Sequence, residues 1–138
     1  MNLADEGIGV EGRFVVLRHE TPPGDPRPTH WDFMLETAAG LRTWALESQP
    51  ADGCWLAADG LPLHRAVYLT FEGPISGGRG TVTRWDEGRF RREPAGREPA
   101  GRERIVVQLA GGQLRGQAVL EEAPGAQRWR FFFTAEPT

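Results

Sequence analysis

The sequence contains no lysine: all 16 of its basic residues are arginine. That excludes every mechanism built on a lysine nucleophile or Schiff base and, with them, lysine-dependent nucleotidyl transfer. Cysteine is nearly as scarce. The lone Cys54 can form neither an intramolecular disulfide nor a thiolate zinc cluster, so stability must come from the core, and the thiol is expected to be buried and inert. No apolar run approaches the roughly 18–20 residues needed to cross a bilayer, and the amino terminus lacks the basic-then-apolar form of a signal peptide. A cytoplasmic location is expected. Excess positive charge is missing as well: 16 basic against 19 acidic residues leave a net charge of −3, which argues against nucleic-acid binding driven by overall charge and leaves room only for a local basic groove.

What the chain has in quantity is turn formers. Its 18 glycines and 11 prolines lie between short apolar runs and join many short elements. Period-two alternation marks strands at Arg13–His19, His30–Thr37, Leu41–Ser48, Ala66–Glu72, Gly80–Trp85, Arg104–Ala110, Leu114–Glu121 and Arg128–Thr134. No segment carries a sustained helical stripe. Short links such as Ala38-Ala39-Gly40 and Gly111-Gly112-Gln113 suit hairpins, so the expectation is an all-β, single-domain antiparallel β-barrel of about eight short strands spanning residues 1–138. Residues 1–11 read as a flexible tail. Residues 92–103, where Arg-Glu-Pro-Ala-Gly occurs twice in succession, read as a flexible loop with little apolar surface to offset the entropy of ordering it. Trp31, Trp44, Trp85 and Trp129 are expected to pack in the core, and Trp55 to lie in a loop.

The histidines are three: His19, His30 and His64. Along a strand His30, Asp32, Met34 and Glu36 share one face while Trp31, Phe33 and Leu35 share the other. His30 and Asp32 then stand about 6.8 Å apart at Cα, close enough to converge on one divalent ion. If the first strand pairs beside the second, His19 completes a two-histidine, one-carboxylate set with coordination positions left open. The same spacing is met by a hydrogen-bonded surface pair.

Read together, four blocks carry a family resemblance. Phe14-Val15-Val16-Leu17-Arg18-His19 followed by His30-Trp31-Asp32-Phe33-Met34-Leu35-Glu36 and Leu41-Arg42-Thr43-Trp44-Ala45-Leu46 resembles the opening of the 3′-phosphoesterase domain of bacterial DNA ligase D. His64-Arg65-Ala66-Val67-Tyr68-Leu69-Thr70-Phe71-Glu72-Gly73 and Gly80-Thr81-Val82-Thr83-Arg84-Trp85-Asp86-Glu87-Gly88 are similar to the blocks that follow in that family. The resemblance implies a stand-alone, divergent, manganese-dependent phosphoesterase β-barrel acting on 3′ ends of DNA or RNA in end repair. Zinc or another divalent ion could replace manganese. His19, His30 and Asp32 match the family's metal ligands, and His64 and Tyr68 match residues near the scissile phosphate. The chain is expected to be monomeric, with any ligase or repair partner a separate protein.

Two departures weaken the match at the chemistry. Met34 stands where the family has a phosphate-clamping arginine, and Ser48 where it has a lysine. Each lost donor removes transition-state stabilisation, on the order of 10²–10³ in rate. The candidate replacements are Arg18, Arg42, Arg65, Arg79 and Arg84. Two functions therefore stand side by side: a phosphoesterase with weakened or altered activity, and a non-catalytic metal- and phosphate-binding module of the same descent.

Overall fold

The computed structural model of the chain describes residues 8–94 and 101–137. Nine strands follow in order: β1 Glu11–Glu20, β2 His30–Glu36, β3 Leu41–Leu46, β4 Trp55–His64, β5 Gly73–Pro74, β6 Thr81–Glu93, β7 Arg104–Gly111, β8 Arg115–Glu122 and β9 Arg128–Ala135. They pair antiparallel in one sheet ordered β1-β2-β3-β4-β9-β8-β7-β6-β5, and β1 also pairs with β6. That last ladder closes eight strands into a ring, with the two-residue β5 beside the start of β6. The all-β class and the closed set of eight antiparallel strands agree with the alternation, as do the hairpins across residues 38–40 and 111–113. Among the described residues no helix is long and apolar enough to cross a membrane.

Two elements differ from the expected strands. Residues 55–64 form β4, a strand that is absent from the expected set and that contains Gly60 and Pro62. Gly60 is required there: a Cβ would come within 2.7 Å of Trp129 Nε1. Pro62 falls at a register irregularity, where Leu41 opposes His64 and Thr43 opposes Leu61, so its missing N–H breaks no regular ladder bond. The stretch Ala66–Glu72 is no strand; it begins with a 3-10 helix, Ala66–Leu69. A strand would send Tyr68, Leu69 and Phe71 to different faces, whereas here all three join one apolar cluster. Tertiary packing overrides the local β preference.

The apolar residues form two layers. Phe14, Val16, Phe33, Leu35, Trp44 and Phe131 belong to a cluster drawing on all eight ring strands, which therefore fills the inside of the ring. Phe33 and Phe131 meet at 5.3 Å, and Trp44 meets Trp129 edge-on at 5.5 Å. Trp31 and Trp85 pack against this cluster while partly buried. The outer face of β1, β2, β3 and β6 carries Val15, Leu17, Met34, Leu41 and Val82, joined by Leu69 of the 3-10 helix. Each fully buried side chain of this size stabilises by about 1.5–3 kcal/mol.

Arg42 does not reach the outer face. It donates two hydrogen bonds to the Glu103 carboxylate, at 2.7 and 2.6 Å, and lies over the rings of Trp44 and Trp129. The expected tail and loop fall in part on residues 1–7 and 95–100, outside the described residues. Among their described neighbours, Ile8 is buried, Glu11 pairs with Arg91, Arg92 and Glu93 continue β6, and Glu103 is buried against Arg42. Cys54 is exposed, contrary to expectation, and Trp55 opens β4, 48% exposed, beneath the Arg130 guanidinium.

Candidate metal centre

β1 and β2 set His19 directly opposite His30, and Leu17 opposite Asp32. Directly opposed residues share a face, as do alternate residues of one strand. Both imidazoles and the carboxylate therefore meet on the outside of the ring, at the loop end of the hairpin. The two ring centroids lie 4.7 Å apart, and the candidate ligand atoms of all three residues fall within 4.8 Å of one another. His30 and Asp32 are buried, at 6% and 3% exposure.

A backbone carbonyl holds each imidazole by one nitrogen. His19 Nε2 lies 2.7 Å from the Arg79 carbonyl oxygen and His30 Nδ1 lies 2.9 Å from that of Pro28. A carbonyl only accepts, so we assign the proton to those nitrogens, leaving His19 Nδ1 and His30 Nε2 with lone pairs toward Asp32. They stand 3.5 Å from Oδ2 and 3.0 Å from Oδ1. Two lone pairs facing one carboxylate repel unless a proton or a cation stands between them. Asp32 Oδ1 accordingly accepts no well-directed hydrogen bond although it is buried.

The titration behaviour fits this crowding. The Asp32 carboxylate raises the His19 pKa above its ordinary value; burial opposes the rise and the Arg79 carbonyl adds to it. Burial pushes the Asp32 carboxyl up, but the two histidines beside it outweigh that and hold it below its ordinary value. Two imidazoles oriented by backbone carbonyls and one ionised carboxylate form a donor set suited to a divalent ion, with coordination positions left over for oxygen ligands.

The turn that holds His19 is built from Ser76-Gly77-Gly78-Arg79-Gly80. Gly80 has φ +98°, and a Cβ there would lie 2.0 Å from the Glu20 carbonyl oxygen. Only glycine lets this turn press against the end of β1 and present the Arg79 carbonyl to His19. Sequence reading missed this support, although the density of glycine was its signal.

A cavity of about 370 Å³ opens beside the cluster, and His19, Asp32 and Met34 contribute to its wall. His64, Arg65, Tyr68 and Arg79 line it too. His64 closes β4, and its Nδ1 lies 2.9 Å from the Pro62 carbonyl oxygen, which leaves Nε2 as the uncommitted ring nitrogen. The Tyr68 ring is set edge-on between His64 at 5.9 Å and Phe71 at 5.8 Å. Four of the five residues singled out from the sequence thus line one cavity, and the fifth, His30, lies against Asp32.

The replacement cations divide. Arg18 pairs with Glu20, Arg42 with Glu103, and Arg84 with Glu72 and Glu87. Arg65 and Arg79 alone of the five line the cavity. Met34 is 1% exposed, with its side chain in the outer apolar layer. In the Trp-Asp motif, Asp86 is structural: its carboxylate accepts the backbone N–H groups of Gly112, Gln113 and Leu114 at 2.7–2.9 Å and so fixes the β7–β8 hairpin.

Residues 19–122 match the family model of the DNA ligase D 3′-phosphoesterase domain. All five gathered residues lie inside the match. No curated protein matches the chain.

Proposed function

Because the chain belongs to the DNA ligase D 3′-phosphoesterase family, we propose that it is a divalent-metal-dependent phosphoesterase that acts on the 3′ ends of DNA or RNA in end repair. The observation that carries this reading is the pair of oriented imidazoles facing Asp32 at the wall of a cavity that also holds His64 and Tyr68. His19, His30 and Asp32 would hold the ion, which supplies Lewis acidity toward a phosphoryl oxygen when bound. Manganese is the metal that family membership favours; zinc binds such a site more tightly by the Irving–Williams order without thereby supporting turnover. His64 Nε2 is the group to hold a non-bridging oxygen or, protonated, to give its proton to the departing 3′ oxygen. The Tyr68 hydroxyl donates a further hydrogen bond to the phosphate. Arg79 acts on the site through its backbone, keeping His19 Nδ1 deprotonated and aimed.

Burial of Met34 in apolar surroundings favours a second reading, a non-catalytic module that binds metal and phosphate. One assay separates the two. Wild-type protein with manganese should release inorganic phosphate from a 3′-phosphorylated primer-template and leave the 3′-hydroxyl control unchanged. Metal binding without any phosphate release would overturn the enzymatic reading and leave the module.

A further inference from the structure

The cavity beside the metal centre has a marked charge asymmetry. Asp32 is the only acid among its described lining residues, and that carboxylate is committed to the two histidines. Arg65 and Arg79 line the same cavity, both exposed, and neither forms an ion pair with a described residue. The remaining candidate arginines are all neutralised by glutamates. An arginine beside a cavity, without a carboxylate partner, is a ready donor for a phosphate oxygen.

The two residues reach the cavity from segments fixed in different ways. Arg65 has extended backbone between β4 and the 3-10 helix, immediately after His64. The Arg79 guanidinium is steadied within its own turn, where Nε donates to the Ser76 carbonyl at 2.8 Å and Nη2 to Ser76 Oγ at 3.4 Å. Its main chain meanwhile holds His19. The anion-binding end of Arg79 and the orientation of a metal ligand therefore depend on one five-residue turn.

Resting on the phosphoesterase-family reading above, we propose that Arg65 and Arg79 together hold the terminal phosphate of the substrate, replacing from two loops the clamp that Met34 cannot form.

The test uses the full chain loaded with manganese and a fluorescent oligonucleotide ending in a 3′-phosphate, with the 3′-hydroxyl version as reference and anisotropy read before turnover. Wild type should favour the phosphorylated end on the order of tenfold, since each charge-assisted bond contributes that much or more. Arg65→Ala and Arg79→Ala should each reduce the preference, and the double variant should abolish it. Calorimetric manganese affinity should stay unchanged in Arg65→Ala, which alters neither a candidate ligand nor the turn that holds His19, and the Arg79→Ala and double variants are compared at saturating manganese because they lose the bonds to Ser76. A preference retained in the double variant, or equal weakening for both ends, overturns the proposal. If wild type shows no preference, the proposal falls, and phosphate release from the same oligonucleotide decides the phosphoesterase reading separately. A preference that the double variant loses, in a protein that releases no phosphate, upholds the clamp and overturns only the enzymatic reading.

Discussion

At the scale of single residues, the repulsion around Asp32 sets the first expectations. An ion present at about a hundred times its dissociation constant stabilises the fold by about 2.7 kcal/mol, so manganese should raise the melting temperature of wild type by several degrees. His30→Ala should abolish that rise, and an equal rise in the variant would remove His30 from the ligand set. Protons compete with the metal at His19, whose raised pKa means that metal affinity should fall as pH drops through that value. In the metal-free protein the same two groups stabilise within a bounded range. The depressed Asp32 contributes above the ordinary carboxylate value and loses that contribution on acidification, while the raised His19 contributes below the ordinary imidazole value and loses it as pH rises. The melting-temperature difference between wild type and Asp32→Asn should therefore be greatest at about pH 5 and shrink toward about pH 8; a flat difference would contradict the pairing. Met34→Arg is expected to lower stability by about 1–3 kcal/mol through overpacking and a poorly solvated charge, with no gain in phosphate release. Denaturant midpoints and turnover measured on the same preparation check both halves. The convergence of His19, His30 and Asp32, and the placing of His64 and Tyr68 at the same cavity, were legible in the sequence because strand alternation and family spacing both depend on the local chain. Which arginine serves the cavity was not, because that depends on partners such as Glu103, 61 residues from Arg42.

At the scale of elements, the turn before β6 is the sensitive joint. Gly80→Ala would drive a Cβ into the Glu20 carbonyl and should weaken manganese binding by displacing the Arg79 carbonyl, even though no metal ligand is changed. Gly78→Ala also strains a left-handed backbone position, at φ +68°, but meets nothing within 4 Å, so it should cost less on both counts. Calorimetric affinities for the two variants give the comparison, and equal losses would refute a specific role for the approach at Gly80. The element reading from sequence failed at β4 and at residues 66–72 for one shared reason. In both, a residue's meaning is set by what lies across the sheet: Trp129 demands Gly60, and the outer layer gathers Tyr68, Leu69 and Phe71 onto one side. Hydrophobic alternation sees neither neighbour.

At the scale of the whole molecule, β1 stands at the seam of the ring. It pairs with β2 across a short loop and with β6 across more than sixty residues, since Glu20 opposes Thr81. The three candidate metal ligands nevertheless all lie between residues 19 and 32, within the first hairpin. Bringing the three together therefore needs only a local loop closure, while the Arg79 carbonyl that orients His19 arrives with the seam, whose sealing is a long-range closure with a larger entropic cost and a slower approach. This separation makes the order of events during folding measurable. The hairpin can gather its ligands before the seam closes, so a divalent ion should speed refolding by stabilising a structure already present in the transition state, and should change the unfolding rate little. Stopped-flow refolding and unfolding with and without manganese give the two rates. An unchanged refolding rate with slower unfolding would mean that the ligands come together only after the ring has sealed.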